Sequence, residues 1–123
     1  MKLSKLALGS ALIALVVLMI PLAFANGNGG EPGLSPGYWK HQLKVMFNGR
    51  GHMQETLADM DMYAGYIDDH IDTGGIEMLD GFPGFENEDA FLAFSDTSYN
   101  HMWTTIANWY NEAAGRDPYI DTD

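Results

Sequence analysis

The sequence predicts an all-α fold, a small bundle of three main helices plus one or two short helices. Apolar residues recur at three- and four-residue spacings in three stretches, and no run alternates with period two for long enough to make a strand. Helix-start and helix-stop residues bracket those stretches, with Ser35-Pro36 opening the first and Asn48-Gly49 closing it. The bundle is expected after an N-terminal signal peptide. The chain then divides into a leader at 1–25, a flexible Gly/Asn-rich tether at 26–33 and an acidic helical domain at 34–123.

The leader reads from its order of charges. Lys2 and Lys5 precede an almost purely apolar run from Leu6 to Ile20, Pro21 breaks it, and Ala23-Phe24-Ala25 follows as a small-x-small cleavage pattern. A retained membrane anchor and a prepilin leader cut after Gly9 are the rival readings. Pro21 and the Ala-x-Ala ending favour cleavage before Asn26 and a secreted or cell-surface protein. The segment Asn26 to Gly33 holds no apolar residue and reads as the tether.

Ser35 as N-cap and Pro36 at the first helical position start helix one, whose stripe is Trp39, Leu43, Met46 and Phe47. Helix two, Gln54 to about Ile71, places Leu57, Met60, Ala64, Ile67 and Ile71 on one narrow seam, weakened by Gly65. Thr73 to Phe85 is rich in Gly and Pro and reads as a loop with at most one short turn at Ile76 to Leu79. Asn87 is the expected cap of a short helix, Glu88 to Phe94, with acids in its first turn. Asp96 or Ser98 caps the last helix, which carries Tyr99, Met102, Trp103, Ile106, Trp109, Tyr110 and Ala113 and stops before Gly115. Trp103 and Trp109 are six residues apart, so only one of them reaches the centre of the buried face.

Composition limits the function. The 123 residues hold 17 acids against 6 Lys and Arg, a net charge of −11, and no cysteine. Without Lys2 and Lys5 the four remaining basic residues face all 17 acids, a net charge of −13. Such a chain is a poor partner for nucleic acid, whose binding rests on cations neutralising phosphates. It is also a poor partner for an anionic membrane once the leader is gone. The lack of cysteine excludes disulfides, thiolate metal sites and a cysteine nucleophile.

Between Arg50 and Arg116 lie 13 acids with no lysine or arginine to relieve them. Calcium is the cation expected to screen them outside a cell, and the candidate ligands are Asp68, Asp69 and Asp72, with Asp59 and Asp61 as a second cluster. No EF-hand spacing occurs, and a plain solvated acidic face is the alternative. His41, His52, His70 and His101 form no pair at helical spacing and no HExxH motif, so zinc is not expected. Glu55 with Asp59, or Glu86 with Glu88, are nominal carboxylate pairs for a hydrolase, and no nucleophile motif accompanies them.

The stretch Gly33-Leu34-Ser35-Pro36-Gly37-Tyr38-Trp39-Lys40-His41 resembles the (T/S)PG(Y/F)WKNH motif near the mature N-terminus of many exported bacterial and archaeal proteins. The likeness covers about nine residues and departs from the motif at His41 and Gln42, where Asn and His are usual. It implies an exported small helical domain and no particular reaction. The expected function is therefore a non-enzymatic surface or extracellular module, a calcium-dependent assembly or filament subunit. Its partner is then itself, another surface protein or a glycan, and an oligomer fits this reading. The alternatives are a small secreted carboxylate-dependent hydrolase and a glycan- or protein-binding module using exposed Tyr or Trp.

Overall fold

The computed structural model describes residues 31–120; the expected leader at 1–25 and the first part of the tether lie outside them. The described residues form helices α1 (Pro36–Asn48), α2 (Leu57–His70), α3 (Asn87–Phe94) and α4 (Trp103–Ala113). Two 3₁₀ turns, Gly74–Met78 and Thr97–Met102, join them. The all-α fold is as the spacing predicts, and the described residues contain no strand.

Helix α1 begins as its residues dictate. The Ser35 hydroxyl accepts the Tyr38 N–H at 3.2 Å, and Pro36 occupies the first turn, where its missing N–H leaves nothing unmade. Gly49 ends the helix at φ 75°, a conformation an L side chain resists, and its N–H returns to the Val45 carbonyl. Trp39 and Leu43 are fully buried, whereas Phe47 emerges at the far end and packs on Phe91, ring centres 5.0 Å apart.

Helix α2 starts at Leu57, later than the expected Gln54, and the cause is a distant side chain. Gln42 on α1 accepts the N–H groups of Gln54 and Glu55 through Oε1 at 2.8 and 3.1 Å. These two amides are thereby held in an extended turn, and Thr56 becomes the N-cap by accepting the Asp59 N–H at 3.0 Å. Met60, Ala64 and Ile67 fill the seam as expected, joined by Tyr63, while Leu57 stays largely exposed at its edge.

The short turn in the loop runs over Gly74–Met78, two residues before the expected start, with Ile76 as its buried anchor. The cap of α3 is Glu86 rather than Asn87. Asn87 is buried instead, donating to the Met60 carbonyl at 3.0 Å and accepting the Tyr110 hydroxyl at 2.7 Å. One amide thus ties α3 to α2 and α4, and turning it back to cap its own helix would leave the buried Tyr110 hydroxyl without its acceptor. Asp96 caps as expected by accepting the Ser98 N–H at 3.0 Å, but the segment it opens is the 3₁₀ turn, and α4 proper begins at Trp103.

The end of α4 is a Schellman motif: Gly115 sits at φ 76°, its N–H meets the Glu112 carbonyl, and the Arg116 N–H meets that of Asn111 at 2.7 Å. The chain then runs back past residues 31–33, the last part of the expected tether, and fastens them. Asp117 N–H donates to the Glu31 carbonyl at 3.0 Å, and Arg116 donates to the Pro32 carbonyl at 3.1 Å. Gly33 makes this approach possible, since a Cβ there would lie 2.3 Å from the Asp117 carbonyl oxygen.

Trp39 stands at the centre of the core. Its indole stacks on Tyr110 at 5.3 Å and meets Tyr63 and Tyr38 edge-on at 5.9 and 5.0 Å. Three buried aromatic contacts of this kind gain both apolar burial and favourable ring geometry. Of the last helix's tryptophans, Trp109 is buried against Phe85 and Trp103 lies at the edge, donating its indole N–H to the Ala93 carbonyl at 2.9 Å.

Candidate functional site

The residues resembling the export-associated motif serve the scaffold. Asn111 on α4 lies across from them, fully buried, and its side chain uses every bonding position. Oδ1 accepts the Leu34 N–H at 2.9 Å and the Trp39 indole N–H at 3.1 Å, while Nδ2 donates to the Leu34 carbonyl and to Asn108 Oδ1. Gln42, also fully buried, spends its amide on Tyr38 and Gln54 as well as on the two N–H groups at the start of α2. Tyr38 and Tyr63 both donate their hydroxyls to the Glu55 carboxylate. Burial, and that carboxylate beside them, raise both phenols well above the ordinary tyrosine range, so each remains a donor. Glu55 is thereby bound as an acceptor, and Asp59, its nominal partner, is half-buried on the first turn of α2. Glu88 is exposed, and Glu86 sits at the cap of α3.

The five candidate calcium ligands spread along α2 and past its end. Asp61, Asp69 and Asp72 are exposed and Asp59 and Asp68 half-buried. Two of them serve nearby backbone: Asp68 Oδ1 accepts the Phe85 N–H at 2.8 Å, and Asp72 Oδ1 accepts the Gly74 N–H at 3.1 Å. No group of three or more His, Asp or Glu converges among the described residues. Helical spacing places Asp61, Asp68 and Asp72 along one stripe, and the loops then draw Asp68 and Asp72 to separate amides. The histidines are all exposed; His41 Nε2 lies 3.0 Å from the His52 carbonyl, and His70 packs on Tyr66.

One carboxylate pair does meet, and spacing alone gave no sign of it. Asp89, in the first turn of α3, is fully buried and accepts the Asp80 N–H and the Glu86 N–H, each at 2.7 Å. The Asp80 carboxyl lies within bonding reach of it; burial and this like-charged neighbour raise Asp89 to about 6 against its two N–H bonds. The detectable half of this arrangement was Asp89 itself, three residues after Glu86, a reciprocal cap of the kind that satisfies first-turn amides.

A groove of about 330 Å³ runs beside α4, lined by Thr105, Asn108, Trp109, Glu112, Arg116 and Pro118. Most of its polar groups are engaged within the chain: Asn108 with Tyr119 and Asn111, Glu112 with the Tyr66 hydroxyl, Arg116 with Glu31 and Pro32. The Lys40 ammonium lies 4.9 Å from the centre of the Trp103 ring, a cation–π contact. No helix of the described residues is long and apolar enough to cross a membrane. Comparison with known proteins finds no matching family model, no similar curated protein and no similar solved structure.

Proposed function

We propose that the protein is an exported, non-catalytic interaction module that works through its acidic exterior at the cell surface or outside the cell. The observation that carries this reading is the division of labour among its polar groups. The buried polar residues Gln42, Thr73, Asn87, Asn111 and Asp89 all bond to the chain itself, while Asp61, Asp69, Asp72, Glu88, Asp96, Glu112 and Asp117 face solvent. Of the four described basic residues, Lys40 covers Trp103 and Arg116 pairs with Glu31, so the outer surface is strongly one-signed. Such a field repels other copies until cations lower it. In the assembly reading calcium bridges neighbouring copies, since a hard divalent cation takes carboxylate oxygens from two surfaces at once. The leader-like start and the resemblance at Ser35 to His41 support export.

The test is light scattering and a thermal melt of the full chain in chelator, calcium, magnesium and added sodium chloride. Calcium in the millimolar range should raise both the scattering and the melting temperature, and chelator should reverse both. Binding to the folded or assembled state alone stabilises it by mass action. An equal response to all three salts at matched ionic strength would instead show simple screening, and the calcium-bridged assembly would be abandoned.

A further inference from the structure

Both ends of the loop between Leu79 and Glu86 are held by one side chain of α3. Asp89 reaches out of the first turn of α3 and holds both ends, the Asp80 N–H through Oδ1 and the Glu86 N–H through Oδ2. Asp80 folds back over the same point, its Oδ1 accepting the Phe82 N–H at 2.9 Å. Its other oxygen, Oδ2, is buried and meets no donor among the described residues. The Asp89 carboxylate, bonded to the Asp80 backbone N–H, stands beside the Asp80 carboxyl, whose Oδ2 is left buried and undonated. The loop they close carries Phe82, 64 % exposed, and adjoins Met78, 53 % exposed.

We propose that Asp80 and Asp89 share a single proton and form a pH-dependent latch that holds the loop from Leu79 to Glu86 against α3. With the proton in place, Asp80 Oδ2 gains its partner and the pair carries one negative charge. When the proton leaves, two like charges face each other in a buried setting and the loop is pushed away from α3.

Among the described residues, no basic side chain forms a salt bridge with either carboxyl. Tyr110 on α4 is held protonated by burial and by Asp89 itself. From α2, Asp68 binds the Phe85 N–H of the same loop, and from the Gly74–Met78 turn, Glu77 accepts the Thr73 hydroxyl. Glu86 and Glu88 on the adjoining turn are acids too, Lys40 of α1 is placed over Trp103, and Lys44 is exposed. Asp96 and His101, exposed, follow the opposite end of α3.

Burial, with the Asp80 carboxyl beside it, raises Asp89 to about 6 against its two N–H bonds, above the roughly 4 of a free aspartate. The folded state therefore binds more protons across that window, and its stability falls as pH rises through it. The substitution Asp80→Asn places an amide where Oδ2 stands, donating permanently to Asp89.

The experiment is urea unfolding of the full chain between pH 4.5 and 7.5, for the native sequence, Asp80→Asn and the exposed-acid control Glu88→Gln. Carboxyl NMR of Asp89 in the native chain accompanies it. The unfolding constant of the native chain should rise several-fold more steeply with pH than that of Asp80→Asn, which keeps the burial of Asp89 and loses only its like-charged neighbour, with Glu88→Gln following the native chain. The Asp89 carboxyl should ionise close to pH 6. Equal pH dependence in the native and Asp80→Asn chains would overturn the latch. So would an Asp89 carboxyl ionising near pH 4, a result that stands even if a variant fails to fold.

Discussion

Replacing Trp39 by alanine should remove about 3–5 kcal/mol of stability, one of the two largest losses expected from a single position. Trp39 is fully buried, stacks on Tyr110, meets Tyr63 and Tyr38 edge-on, and donates its indole N–H to Asn111. The alanine leaves a cavity where three aromatic rings met and strips the ring geometry as well as the area. A domain of this size has only about 5–15 kcal/mol to lose, so the variant should be largely unfolded at moderate denaturant. Trp39→Phe separates the two contributions. It retains a ring against Tyr110 and deletes the N–H, so it should cost only about 1–2 kcal/mol. Urea midpoints at constant slope measure both. Similar losses for the two variants would mean that the hydrogen bond, not the packing, dominates at this position.

Asn111→Leu should cost a comparable amount, about 3–5 kcal/mol, although it exchanges a polar side chain for an apolar one of similar size. Four groups lose their partner together: the Leu34 N–H, the Leu34 carbonyl, the Trp39 indole N–H and Asn108 Oδ1, the last of which still accepts the Tyr119 N–H at 2.6 Å. Each group left buried and unpaired costs about 1–3 kcal/mol, and those that can turn to water cost less. The loss should also be visible in one place. With Leu34 released, the segment ahead of α1 should become the preferred point of limited proteolysis, while in the native chain it is held at residues 31–34. A variant as resistant there as the native chain would show that the Glu31 and Pro32 contacts to the returning tail suffice on their own.

These two positions also show what the sequence could and could not reveal. The boundaries of α1 were legible because Ser35, Pro36 and Gly49 act locally, each through its own hydroxyl, ring or freedom to adopt positive φ. Gly115 was legible for the same reason, as the left-handed residue of a Schellman ending. The start of α2 was not, because it is fixed by Gln42, 12 residues earlier and on another helix. Asn87 looked like a cap because Asn is a good one; only the assembled bundle supplies Met60 and Tyr110 as the partners that draw it inward.

The acids followed the same rule. Spacing placed Asp61, Asp68 and Asp72 on one stripe of α2, but which carboxylates meet depends on where the loops bring backbone N–H groups. Asp68 and Asp72 were claimed by Phe85 and Gly74. The carboxyl groups that do meet, Asp80 and Asp89, come from a loop and a helix nine residues apart, with no periodic spacing to mark them. Tyr63, absent from the expected seam, is buried because Trp39 extends the core sideways to meet it.

Gln42 and Asn111 join local turns into the global fold. Native-state hydrogen exchange tests it most directly, read at the amides of Leu34, Gln54 and Glu55. All three lie outside helices and would ordinarily exchange by local fraying. Because Asn111 holds the first and Gln42 the other two, they should exchange only with global unfolding, at the same free energy as Ile67 and Tyr110 in the core. Exchange many times faster than the core amides, at unchanged global stability, would contradict it and reduce the two side chains to passengers on a fold held by its helices alone.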